Sequence, residues 1–206
     1  MNGMTANLNS ETIVIIHGFA AHRWLMLPLA RRLRQAGYAT LNWGYRSLFS
    51  DIETHAARLR SDLEQLVERT EVSGLHIVAH SMGSLVVRQA LLEGRLEKLK
   101  RIVLLCPPNR GSHAATRWQL LAGRLSRTLV QLSDHPEGFA ATLAPTLAER
   151  YEVAILAAQT DFVVRLDSTY LPNASQHTIV PGFHSSMLFT SRTAELTLQF
   201  IRDGNL

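Results

Sequence analysis

Between Thr12 and Asp203, short apolar runs alternate with amphipathic helical stretches. That alternation restricts the chain to an α/β fold, a mostly parallel central sheet with helices on both faces. Thr12 to Ile16 is a continuous apolar run, as expected of a strand buried on both sides. The spacing predicts a helix over Trp24 to Gln35, with Leu25, Leu29 and Leu33 on one side, Arg31, Arg32 and Arg34 on the other, and Gly37 as its stop. A strand from Tyr38 to Trp43 follows, then a long helix from Asp51 to Thr70 whose inner stripe includes Ala56, Leu59, Leu63, Leu66 and Val67. Further strands are expected at Leu75 to Ala79, Arg101 to Cys106, Val153 to Ala158 and His177 to Val180, with a closing helix from Ser185 to Asp203. Residues 113 to 150 break the alternation with two helices separated by Ser133-Asp134-His135-Pro136. They read either as a small helical cap or as ordinary sheet-covering helices.

One strand runs directly into Ala79-His80-Ser81-Met82-Gly83, a variant of the pattern G-x-S-x-G. So tight a strand-to-helix turn forces Ser81 into a strained backbone conformation and demands small residues two positions to either side, which Ala79 and Gly83 supply. A helix from Met82 to about Gly94 then points its first amides at the space before Ser81, where a developing oxyanion is stabilised. The plainer reading of the same residues is a small-residue turn, so their meaning depends on companions.

A serine hydroxyl is a weak nucleophile at neutral pH and needs a histidine base, itself oriented by an acid. In an open α/β sheet such partners lie at the carboxyl ends of the strands. Asp161 follows the strand ending at Ala158, and His184 follows the strand ending at Val180. Asp167, deeper in the same loop, is the rival acid. Among other histidines, His80 is expected to point away from Ser81, His177 begins a strand, and His113 and His135 fall in the irregular segment. For an oxyanion, the amide of Met82 offers one donor and that of Phe19 a second, with Gly18 turning the chain sharply after the first strand.

These segments resemble the α/β-hydrolases of the small bacterial lipase and esterase group. Ile15-Ile16-His17-Gly18-Phe19, Ala79-His80-Ser81-Met82-Gly83, Thr160-Asp161-Phe162-Val163-Val164 and Gly182-Phe183-His184-Ser185 stand where that group has its motifs. Pro107-Pro108-Asn109-Arg110-Gly111-Ser112 is similar to a stretch found in many lipases and related membrane-lipid deacylases. The resemblance covers residues 12 to 202. It implies the α/β-hydrolase fold, a triad of Ser81, Asp161 and His184, an oxyanion hole from Phe19 and Met82, and no cofactor or metal. It further implies lipid metabolism as the setting and an acyl-binding cleft lined partly from residues 113 to 150, where Trp118, Leu120, Leu121 and Phe139 are available. Nothing resembles a calcium site or a long lipase lid, which turns the expectation from bulk triglyceride toward an intracellular esterase.

Composition narrows the rest. Of 206 residues, 46% are hydrophobic and 18% charged, which suits one globular domain over residues 11–206 behind a flexible segment 1–10. The net charge of +4 comes from scattered arginines and lysines, which do not imply nucleic acid. The polar start lacks a cationic and apolar leader, no run reaches the roughly 18 apolar residues of a spanning helix, and the single Cys106 excludes an internal disulfide. A cytoplasmic location is expected, although a secreted chain whose leader had been removed reads the same way. Three functions stand open: cleavage of a small-molecule or lipid ester, with peripheral membrane contact left open; acyl transfer or thioester cleavage by the same triad; and a catalytically silent binding scaffold.

Overall fold

The computed structural model describes residues 11–122 and 126–206, with the backbone alone for 120–122. The segment 1–10 and the side chains of Leu120 and Leu121 therefore lie outside the described residues. Among the described residues six strands form one sheet: β1 (Glu11–Ile16), β2 (Ala39–Trp43), β3 (Gly74–His80), β4 (Leu99–Leu105), β5 (Glu152–Ala158) and β6 (Gln176–Val180). Their order is β2-β1-β3-β4-β5-β6, and every neighbouring pair is parallel. The chain moves outward from β1 to β2 and then crosses back to β3. The reversal opens a crevice between the carboxyl ends of β1 and β3, where open α/β sheets bind ligands.

Alternation along the strands feeds two cores. Val14 and Ile16 face one side, packed with Ile52, Leu59 and Leu63 of α2 (Ile52–Glu68) and Leu85 and Val86 of α3 (Met82–Ala90). Ile13 and Ile15 face the other, against Leu29 and Leu33 of α1 (Leu27–Gln35) and Leu196 and Phe200 of the closing helix (Ser191–Asp203). This period of two is why β3 tolerates no exposed position: all seven of its residues are buried.

Three segments depart from expectation in detail. The stretch from Trp24 is split into a 3-10 turn, Arg23–Met26, and α1, with proline in the first turn of the helix proper, where it is compatible with helical geometry. The closing helix starts later than Ser185: after a 3-10 turn at Ser186–Phe189, Thr190 is extended and its side chain accepts from the Thr193 amide, a cap that starts a new helix. Among the described residues between 113 and 150 there are four short helices instead of two, α4 (His113–Ala122), α5 (Arg127–Leu132), α6 (Phe139–Thr142) and α7 (Leu147–Arg150), the closing helix being α8. Ala115, Leu132, Ala140, Leu143 and Leu147 bury themselves in the α2/α3 core, Phe139 packs against it, and Trp118 stands 63% exposed.

Burial of imidazoles gives the fold an acid sensitivity. His76 in β3 is buried, with Nε2 3.4 Å from the Glu11 carboxylate and Nδ1 without a partner. Burial holds it well below its ordinary 6.5, at about 4, and pushes His80 down to about 3. Below pH 6.5 the unfolded chain takes up protons that the folded chain refuses, so the stability present above that pH is lost as pH falls toward 4. For His76 alone the loss is on the order of 3 kcal/mol. Thermal melting should therefore drop steadily from pH 6.5 to 4; a melting temperature flat across that window would contradict this account.

Candidate active site

Ser81 sits at the junction of β3 and α3 with φ 52° and ψ −126°, a conformation that L-residues avoid and that the turn imposes. Its amide donates to Leu105 O at 2.9 Å, fixing the elbow to β4, and its carbonyl accepts from the Ser84 amide at 2.9 Å. The demand for small neighbours is literal. A Cβ on Gly83 would lie 2.6 Å from His17 O, and one on Gly18 would lie 2.9 Å from Ser81 Cβ. The loop after β1 thus presses directly on the elbow, with Ile16 and Ala79 in register one step below.

Ser81 Oγ lies 2.9 Å from His184 Nε2, and His184 Nδ1 lies 2.7 Å from Asp161 Oδ2. The second carboxylate oxygen, Oδ1, accepts from the amides of Val163 at 2.8 Å and Val164 at 2.9 Å. Burial works to raise the Asp161 carboxyl, but the histidine and the two amides outweigh it and hold it below the ordinary carboxylate range. With the carboxylate ionised, Nδ1 of His184 carries the proton and donates, leaving Nε2 free to accept from Ser81. Ser81 and His184 are 8% and 9% exposed, enough for a reactant to reach them yet dry enough to strengthen the local electrostatics. Asp167 is exposed in the 3-10 turn Leu166–Thr169, away from this chain of contacts.

His80 does not stand idle behind the elbow. Its ring packs against that of His184 at a centroid distance of 4.9 Å, and its Nε2 donates to His184 O at 3.0 Å, so it braces the very loop that carries the base. The expectation that its side chain turns away from Ser81 missed this bridge to the loop after β6. His17 is likewise structural: Tyr45 stacks on it at 4.4 Å, and the Tyr45 hydroxyl donates to His17 O at 2.8 Å, holding the turn that leads to Phe19. Ser112, in the Pro107 to Ser112 stretch, donates to Val163 O at 2.6 Å and so supports the Asp161 turn from just before α4.

Met82 opens α3, and Phe19 lies one residue beyond the Gly18–Ser81 contact, so both amide-bearing positions border the serine. Among the described residues, Cys106, Asp161 and His184 offer ligand atoms within 4.8 Å of one another. That grouping does not suit a metal. Asp161 and His184 are engaged with each other, and burial pushes the Cys106 thiol well up, away from the thiolate a metal requires. No helix among the described residues is long and apolar enough to cross a membrane.

A family model described as the alpha/beta hydrolase family matches residues 13–197. No curated protein sequence matches the chain. Among solved structures, a lipase from Bacillus licheniformis in propeptide form is similar at 16% identity with a TM-score of 0.76; the match covers 94% of this chain, which spans only 50% of that one. The mature form of that lipase gives 14% identity and a TM-score of 0.74, covering 100% of this chain and 96% of the other. An esterase from Pyrococcus furiosus gives 16% identity and a TM-score of 0.68, covering 95% and 84%.

Proposed function

This chain belongs to the alpha/beta hydrolase family, and we propose that it is a serine hydrolase that cleaves carboxylic esters through an acyl-enzyme. One observation carries the reading, the unbroken chain of short contacts from Ser81 Oγ through both nitrogens of His184 to Asp161. Ser81 Oγ attacks the ester carbonyl carbon while its proton passes to His184 Nε2. The resulting imidazolium is stabilised by Asp161, and the oxyanion is held by the amides of Phe19 and Met82. Collapse of the tetrahedral intermediate expels the alcohol, which takes the proton from His184. Water then repeats the sequence on the acyl-enzyme and releases the acid. No cofactor takes part in these steps. In this reading residues 11–206 form one hydrolase domain, and the start of α4 supports the acid loop.

The acyl group and leaving atom are testable with a matched pair, a butyryl oxygen ester and a butyryl thioester of comparable leaving-group acidity. The oxygen ester is expected to turn over with the higher kcat/KM, water being the acyl acceptor. A thioester preference of tenfold or more, or product appearing on an added alcohol or amine in place of free butyrate, would replace this reading with thioester cleavage or acyl transfer.

A further inference from the structure

Beside the elbow, at the carboxyl ends of β1 and β2, lies a cavity of about 580 Å³ whose lining contains no carboxylate. Arg23, Arg46 and Arg58 surround it, together with His17, His22 and His55. Arg58 shares its charge with Asp62 at 3.7 Å and lies over the Trp43 ring. Arg23 and Arg46 enter no ion pair among the described residues. Arg23 and Arg46, unpaired beside Arg58, repel one another unless an anion joins them, and their planar forks match the oxygens of a phosphate. The N-terminal end of the 17-residue α2 also opens here, with its Thr54 amide already taken by the Asp51 carboxylate at 2.9 Å, so the arginines carry the positive potential of the hollow.

A second observation points to a ligand. His55 is only 6% exposed, lines the cavity, and keeps Nε2 without a hydrogen-bond partner. A buried polar atom left unsatisfied costs stability unless something supplies a partner. A phosphate ester supplies both, P–O⁻ oxygens for the arginines and one that accepts a proton donated from the His55 ring.

The position relates the cavity to the serine. His17 forms its inner wall, and the next residue, Gly18, touches Ser81. Arg46 follows β2, two strands from β3, which at about 4.8 Å per strand sets the backbone of its loop roughly 10 Å from that of the elbow. We propose that this cavity is a subsite for a phosphate group borne by the ester substrate. The inference rests on the ester-hydrolase reading above, and it narrows the substrate class to acylated phosphate-bearing alcohols, whether soluble or presented as lipid.

The test compares 1-butyrylglycerol 3-phosphate with 1-butyrylglycerol, and the corresponding oleoyl pair in phosphatidylcholine vesicles, for the full chain and for Arg23→Gln/Arg46→Gln. Both arginines are exposed, so an unchanged melting temperature is expected of the double variant. The phosphorylated member should show a kcat/KM at least tenfold higher, mainly through KM, and the double variant should reduce that preference to about twofold or less. A preference confined to the butyryl pair identifies a soluble phosphoester, and one confined to the oleoyl pair identifies a lipid headgroup; either supports the subsite. No preference in either pair, or a preference that survives the double substitution, overturns it. If no ester is cleaved at all, calorimetric titration with glycerol 3-phosphate decides the cavity separately. Saturable binding that is lost in the double variant keeps the anion site while the hydrolase reading fails, and no saturable binding ends both.

Discussion

Ser81→Ala is expected to remove p-nitrophenyl butyrate hydrolysis almost completely, by about 10⁶-fold in kcat, while the protein stays folded. The magnitude follows from what the hydroxyl does: it lies 2.9 Å from His184 Nε2, and without it the imidazole has no nucleophile to activate. Remaining turnover would come from water attacking a carbonyl already oriented near the amides of Phe19 and Met82. Stability should change little. The Ser81 side chain caps no helix amide, and the backbone bonds to Leu105 and from Ser84 that fix the elbow do not involve it. Kinetics and thermal melting on the same preparation check both parts. Activity within tenfold of the parent, with the fold intact, would exclude Ser81 as nucleophile.

Asp161→Asn is expected to cost about 10⁴-fold in kcat at neutral pH, for a reason of geometry rather than of shape. Asparagine is nearly isosteric, and its carbonyl oxygen can keep the two amide bonds that Oδ1 now accepts from Val163 and Val164. The amide nitrogen must then face His184 Nδ1, turning that atom from donor into acceptor. The ring proton moves to Nε2, which can no longer take the proton of Ser81. The fold should survive with near-parent melting, and KM for a short ester should move far less than kcat. A loss below tenfold would mean that Asp161 does not set the tautomer of His184.

Much of the candidate site's arrangement was legible because each proposed member stands at a strand end, where β-strand length and the α/β alternation fix which loops share an edge. Ser81, Asp161 and His184 needed no long-range information beyond that ordering, and Gly83 declared itself as a position that must be small, whereas Gly18 read only as a sharp turn and its closeness to Ser81 came from the structure. His80 shows the limit. Within a strand buried on both faces its neighbours do not reveal what it reaches, and its bond to His184 O spans 104 residues. One signal was present: a polar residue inside a continuous apolar run must find a partner. The arginine cavity was hidden for a related reason. Arg23, Arg46 and Arg58 stand in a 3-10 turn, a loop and a helix and read as scattered surface charge until the return of β2 beside β1 brings them together. Helix breaks at Thr190 and within 113 to 150 depend on local caps and short contacts that a hydrophobic period does not register.

The central claim is that Ser81 is an activated nucleophile, and labelling with a fluorophosphonate followed by peptide mapping tests it most directly. The reagent phosphonylates a serine only when a base removes the proton and an oxyanion site receives the P–O oxygen, so it reports the whole assembly in one bond. Stoichiometric modification of the full chain at Ser81 is predicted, with no labelling of Ser81→Ala and greatly slowed labelling of Asp161→Asn. A folded parent protein that stays unlabelled, or that carries the label on another residue, would contradict the account.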